Sequence, residues 1–295
     1  MANSFAALKR DRQETLTNLT SELEKTQTVQ TSFEDDRLWK CERDKSGNGY
    51  AVIRFLPTAE GEDVPWVRVW NHGFQGPGGW YIENSLTTLN QKDPVSEFNT
   101  ALWNNGTEAG KEQARKQKRR LNYYSNVYVI KDPANPENEG QVRILRYGKK
   151  IFDKINDLMN PEFQDEDAVN PFDFWAGADF KMKIRMVEGF VNYDKSEFDA
   201  PAEFLGGDDQ ELENVWNNQY QLSEFTSPDN FKTYDELKAK FNRVIGLADD
   251  PSLSFDTSKF ETTAKVAEPE PVSTSTDNGE EGDTLSYFQK LAEEQ

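Results

Sequence analysis

The sequence predicts an α+β protein, mostly β with a few helices, whose strands close into a small barrel instead of lying in a parallel sheet. Three observations support this class. Runs such as Tyr50–Leu56, Tyr123–Ile130 and Val142–Tyr147 are short and rich in β-branched and aromatic residues. Gly, Pro and Asn turns punctuate them and send the chain back on itself. Helical periodicity is confined to a few segments between and after them.

The elements follow in order. Residues 1–30 read as a helical arm, because Leu8, Arg12, Leu16, Leu19 and Leu23 recur at three- and four-residue steps. Lys9, Arg10 and Arg12 stand at its start. The body begins near Trp39, and the turn Gly47-Asn48-Gly49 opens a strand over residues 50–56, stopped by Pro57. In it Ala51, Ile53 and Phe55 face one way, and Val52, Arg54 and Leu56 the other. Residues 65–70 form a second strand, which passes through Asn71–Phe74 and a glycine-rich turn into Trp80–Ile82. Residues 84–120 read as irregular to helical, with the cationic end on or just after a helix.

Tyr123–Ile130 is the clearest strand, closed by Lys131-Asp132-Pro133. After Val142–Tyr147 comes a short helix with Ile151, Ile155 and Leu158 on its inner face. Phe180–Val187 alternates apolar with basic residues, which predicts one buried and one cationic face, and runs into Gly189–Tyr193. Past Asp208 the chain turns helical and acidic, with a second helix over Asp235–Ile245. From Pro251 the composition predicts a disordered acidic tail. It ends in a short amphipathic piece whose Leu285, Tyr287, Phe288 and Leu291 form a candidate docking element. The expected organisation is therefore an arm (1–30), a core (31–250) and a tail (251–295).

Charge is unevenly distributed along the 295 residues, whose net charge is −19. Residues 111–150 hold eleven Lys and Arg against four acids, a local balance of +7. Residues 196–250 carry −9 and residues 251–295 carry −7. The densest cationic run, Arg115 to Arg120, feeds directly into the aromatic strand that begins with Tyr123-Tyr124. Cations beside exposed rings give a path for phosphates and platforms for unpaired bases.

Several chemistries are excluded. There is no GxxxxGK[ST] phosphate loop, and one histidine, His72, rules out most His-based catalytic sets. A chain with one His and one Cys does not supply the usual tight cluster of zinc ligands. The acid clusters Asp165-Glu166-Asp167 and Asp208-Asp209 read as solvated loops before they read as a Mg²⁺ nuclease site. Cys41 has no disulfide partner in the chain, which fits a reducing compartment such as cytoplasm. No apolar run approaches the ~20 residues of a membrane span, and the first residues lack the apolar stretch of a secretory signal. The residues describe a binder, not a catalyst.

Four segments carry the nucleic-acid reading: Lys118–Tyr124, Arg143–Lys150, Lys181–Arg185 and Gly189–Tyr193. Alone, each is as well explained by a solvated face or a core strand; together they point to a single-strand cleft. Gly47–Pro57, Asn71–Phe74, Trp80–Glu83, Lys131–Gly140, Gly148–Asn156 and Gly189–Asp194 resemble the replicative single-stranded-DNA-binding (helix-destabilising) proteins of T-even-like bacteriophages. The resemblance runs in order from about residue 37 to 200, and the ends share only its character.

That resemblance implies an OB-fold with an inserted zinc-binding subdomain, here about residues 70–120. It implies a DNA cleft with Arg54, Lys118, Arg119, Arg120, Arg146, Lys149 and Lys150 on the phosphates. Trp80, Tyr123, Tyr124, Phe190 and Tyr193 would be the stacking rings. It further implies side-by-side cooperativity through the element at Lys9, Arg10 and Arg12. The tail would recruit replication and recombination proteins, in the cytoplasm of an infected bacterium. The zinc site departs from the family pattern. His72 matches the family histidine, but Ser85, Asp93 and Ser96 stand where three cysteines belong. The expectation is a subdomain without metal, or any other cofactor, held by packing at Phe98, Leu102 and Trp103. Two other functions fit the same residues: an RNA-binding OB protein, and a non-catalytic module that binds an acidic protein.

Overall fold

The computed structural model describes residues 35–163 and 165–247. Lys9, Arg10 and Arg12 of the arm, and Leu285, Tyr287, Phe288 and Leu291 of the tail, lie outside them. The chain divides into two compact units between Trp39 and Lys40. In the described part of the first, Arg37 pairs with Asp35 at 2.8 Å in a turn that leads into β1 (Leu38–Trp39).

The second unit begins with the strands β2 (Gly49–Phe55), β3 (Val67–Gly76) and β4 (Gly79–Asn84). Helices α1 (Pro94–Asn104) and α2 (Glu108–Gln117) precede β5 (Arg120–Lys131) and β6 (Val142–Tyr147). After α3 (Lys149–Met159) come β7 (Asp179–Val187), β8 (Phe190–Asn192) and β9 (Glu197–Phe198). Helices α4 (Asp209–Asn217) and α5 (Tyr234–Ile245) follow. The class is α+β, a large antiparallel sheet with several helices.

The 12-residue β5 is the hub. One edge pairs with β6, from Tyr123↔Tyr147 to Tyr128↔Val142. Its other edge pairs with β3 near the start (Arg120↔Asn71 to Tyr124↔Val67) and with β2 near the end (Val127↔Phe55 to Lys131↔Val52). The β2 pairing carries a bulge between Val52 and Ile53, which bends the sheet locally. On its far side β2 pairs with β7, so β2 is an interior strand.

Because β3 and β5 pair directly, residues 72–119 form an excursion from the sheet. It holds the β3–β4 hairpin and both short helices. Pro94 takes the first position of α1, where its missing N–H is harmless, and the Asp93 carboxylate accepts from Ser96 N–H as its N-cap. Thr107 caps α2 in the same way, and Arg115 and Lys116 lie in its last turn, where cations suit the helix dipole. The excursion's core of Phe74, Tyr81, Leu86 and Val95 is completed by Leu237, Phe241 and Val244 of α5. That helix begins with a Thr233–Glu236 capping box and stops at Gly246 in the left-handed region. Gly78 N–H donates to Val244 O at 2.8 Å, and a Cβ on Gly78 would lie 2.0 Å from Arg243 O. A second cluster comprises Leu56, Phe174, Phe204, Leu212 and Val215.

Candidate nucleic-acid interface

The cationic run sits where α2 gives way to β5. Lys118 is the exposed C-cap of α2, the Arg119 guanidinium lies 4.3 Å above the Trp70 ring, and exposed Arg120 opens β5 opposite Asn71. Strand alternation puts Arg120, Asn122 and Tyr124 on one face. Arg146 of β6 pairs opposite Tyr124 and donates Nε–H to Asn122 Oδ1 at 3.2 Å. The structure thus places Lys118 and Arg119 in the link from α2 to β5, Arg120 at the start of β5, and Arg146 on the neighbouring β6. Lys149 and Lys150 follow at the start of α3, and Lys149 Nζ is paired with Asp153 at 2.7 Å.

Three of the expected contacts are corrected. Arg54 is 1% exposed. Its face of β2 is covered as fully as the face of Ile53, so alternation set its direction but not its environment. The guanidinium donates to Asp179 Oδ1 (3.1 Å), Asp173 O (2.9 Å) and Ala202 O (2.9 Å). Burial draws its pKa down, against the pull of Asp179. Arg54 is a structural bracket. Tyr123 is also buried, parallel to Phe152 at 4.0 Å and to Tyr147 at 5.6 Å. Tyr124 is buried beneath Phe225, with ring centroids 4.4 Å apart. Burial pushes both phenols up in pKa, and for Tyr124 Arg146 opposes it. Neither ring is an open platform, because side chains distant in sequence already stack on them.

The other rings remain available. Phe190 is 58% exposed beside the Glu188-Gly189 turn, both of whose residues have positive φ, and Trp80 is 59% exposed on β4. Trp80 pairs opposite Gln75, four residues along β3 from Asn71, so about 13 Å of strand separates it from the cationic run. Tyr193 is half-buried and lines a cavity of about 230 Å³ with Lys40, Arg43, Cys41 and Arg146. Lys40 and Arg43 were not picked out in the sequence; the one signal was a basic residue on either side of the lone cysteine.

A wider cleft of about 680 Å³ lies under α1 and α2, with Trp103, Arg115, Lys118 and Arg119 on its wall. Trp103 is 49% exposed, with the Arg115 guanidinium 5.5 Å from its ring centre. It is therefore a cleft residue, not the packing residue expected of it. Phe98 does pack on the excursion's core. On β7 the expected alternation holds, with Phe180, Met182 and Ile184 buried, but its cationic face is paired with acids. Lys181 pairs with Asp199, Lys183 with Glu197, and Arg185 with Asp194. The acids lie on the return segment through β8 and β9, and they neutralise the cations that alternation exposed.

His72 lies within the excursion at 1% exposure, and Asp93 is as buried. His72 Nε2 meets Asp93 Oδ1 at 3.2 Å, and Nδ1 meets Gln117 O at 2.9 Å. Asp93 also accepts from Ser96 N–H (2.9 Å) and Leu86 N–H (3.3 Å), and from the Ser85 hydroxyl. Burial opposes its ionisation, but these donors prevail and hold the carboxyl down to about 2. These residues do not fit zinc. One carboxylate and two hydroxyls replace three thiolates beside the retained imidazole, and both imidazole nitrogens and both carboxylate oxygens are already engaged. Among the described residues no group of three or more His, Cys, Asp and Glu is placed to hold a metal.

Among the described residues no helix is long and apolar enough to cross a membrane. A model of the gp32 DNA binding protein like family matches residues 47–245, from the turn before β2 through the end of α5. The chain is 40% identical over 221 residues to the single-stranded DNA-binding protein of Enterobacteria phage T2, covering 74% of this chain and 72% of that one. The protein of the same name in Enterobacteria phage T4 has the same identity and span, covering 73% of its length. That of Escherichia phage SV14 is 46% identical over 69 residues, 23% of this chain and 61% of that one. The match takes in the sheet, the excursion and the remote helix that completes it, and this chain belongs to the gp32 DNA binding protein like family.

Proposed function

We propose that the chain binds single-stranded DNA without sequence preference and organises it during phage replication, recombination and repair, catalysing no reaction. The observation that carries the reading is the set Lys118, Arg119 and Arg120 at the entry to β5 with Arg146 on the adjoining β6, within a family whose phage T2 and T4 members are named for this binding. These residues, with Lys149, Lys150, Lys40 and Arg43, track the phosphates. Each phosphate neutralised contributes roughly −0.7 to the log–log salt slope. Trp80, Trp103, Phe190 and Tyr193 stack bases, each stacked base adding about 1–3 kcal/mol. Duplex bases are already stacked and paired, so single strands are preferred.

The finer assignments belong to the same reading. The sheet is an OB-type barrel, which the bent hub β5 with three partners supports. Lys9, Arg10 and Arg12 of the arm contact a neighbouring copy along the strand. Leu285, Tyr287, Phe288 and Leu291 of the tail dock replication and recombination proteins. The working compartment is the cytoplasm of the infected host.

The test is a fluorescence titration of the full chain with single-stranded DNA at several salt concentrations, with duplex DNA and matched RNA as competitors. Strong quenching, a steep salt slope and resistance to both competitors are expected. Indifference to single-stranded DNA sinks the proposal, and stronger displacement by RNA reassigns the cleft to RNA.

A further inference from the structure

The excursion over residues 72–119 is held by a buried polar cluster that no part of the binding reading uses. Five groups converge there: the His72 ring, the Asp93 carboxylate, Ser96 N–H, Leu86 N–H and Gln117 C=O. They come from β3, the turn after β4, the start of α1 and the last residue of α2. The Asn99 amide of α1 donates to the same Gln117 carbonyl at 3.1 Å. The next residue after that carbonyl is Lys118, the first cation of the run beyond the last helical residue of α2.

We propose that the His72–Asp93 pair is a metal-free clamp that closes the excursion and positions Lys118–Arg120 against the sheet. The second half rests on the reading of those cations as phosphate contacts. The geometry supports both halves. Asp93 is the common acceptor for three parts of the excursion, the place a central cation takes in a four-ligand site. A cation joins ligands by accepting their lone pairs; the carboxylate joins donors by offering its own. The two arrangements are alternatives, because a ligand set of thiolates and a hub of negative charge cannot share one site without a cation. The Ser85 and Ser96 side chains suit the second arrangement, since small hydroxyls leave room for a carboxylate. Through the imidazole, the clamp reaches the carbonyl that ends α2, so the register at which β5 starts depends on it. His72 and Asp93 are positioning residues; neither touches DNA.

The test uses the full-length protein, with four readouts. Metal content and melting are measured before and after 1,10-phenanthroline, amide hydrogen exchange is followed over residues 115–122, and the single-stranded-DNA salt slope is recorded. The wild type is expected to hold less than about a tenth of an equivalent of zinc and to melt unchanged after chelation. Asp93→Asn is expected to speed exchange over 115–122 by tenfold or more while β2 and β7 keep theirs. Its salt slope should be shallower by the equivalent of two or three phosphates, on the order of 1.4–2.1.

If Asp93→Asn does not fold, the triple variant Ser85→Cys/Asp93→Cys/Ser96→Cys supplies the switchable form. It is expected to exchange slowly with zinc bound and fast over 115–122 once the zinc is removed. Stoichiometric zinc in the wild type whose removal lowers the melting temperature overturns the clamp, as does wild-type exchange over 115–122 in both variants after chelation. A melting change in Asp93→Asn with an unchanged salt slope overturns the positioning half. Absence of DNA binding by the wild type, with the exchange result intact, overturns the binding reading and leaves the clamp standing.

Discussion

Arg54 shows how far one side chain's role depends on what covers it. Its guanidinium holds Asp179 and carbonyls from two separate loops, and Gly177 makes room for it: a Cβ there would sit 2.3 Å from Asp173 O and 3.0 Å from Arg54 Nη2. Arg54→Ala leaves these acceptors buried without a donor, a loss of about 3–5 kcal/mol by analogy with other broken buried pairs. Denaturant melts would check it, and the salt slope of DNA binding at low temperature should be unchanged. Cys41 makes an opposite case. Burial, helped by Asp132 and Glu42, pushes its thiol up to about 11 from an ordinary 9.0. The folded thiol holds its proton more tightly than the unfolded one, so this contribution to stability is complete below about pH 9 and lost as pH rises toward 11. Native protein at pH 8 should react slowly with a disulfide reagent, and at full rate in denaturant. The exposed rings make a third contrast. Trp103→Ala and Phe190→Ala should each weaken single-strand binding by about 1–3 kcal/mol with the salt slope intact. Tyr123→Ala should lower the melting temperature instead, because its ring lies in the stack of Phe152 and Tyr147.

At the scale of elements, β7 and the entry to β5 differ although both carry cations. The cations of β7 face a return segment rich in acid, and each has a partner there. At the start of β5, the Arg119 guanidinium meets a ring, and Arg146 an amide oxygen and a phenol, none of which removes its charge. Lys183→Gln should therefore leave the DNA salt slope within error, whereas Arg120→Gln should reduce it by about 0.7. Equal effects from the two substitutions would show that the β7 pairs open on binding. The helices show a similar division. α1 and α2 are fixed by their caps, but the core they cover is completed by α5, which reaches it from more than a hundred residues away in the chain.

For the molecule as a whole, the net charge of −19 conceals a strong internal asymmetry. A basic segment of +7 lies in the same chain as a tail of −7. On the proposed binding reading, a tethered polyanion competes with DNA for the cationic face at high effective concentration, and salt screens the competition. Deleting residues 251–295 should tighten single-strand binding at low salt and converge on the full-length value at high salt. Equal affinity with and without the tail at every salt concentration would remove this role from it.

Much of this protein is legible in its sequence alone. The alternation of Phe180–Ile184 and the periodicity of Ile151 and Ile155 marked their elements, because they record which residues share a face. The ordered motifs from residue 47 onward marked the family, while the dense cations before Tyr123 and the missing cysteines are the basis on which the cleft and the metal-free excursion are proposed. What alternation and composition do not record is what lies on the other side of each face. Covering of Arg54 by residues 173–202, of Tyr124 by Phe225, and of the β7 cations by Asp194, Glu197 and Asp199 comes from loops the local pattern does not address. The clamp at His72 is of the same kind. Its partners stand 21 and 45 residues away, and only the packing of the excursion brings them within hydrogen-bonding distance.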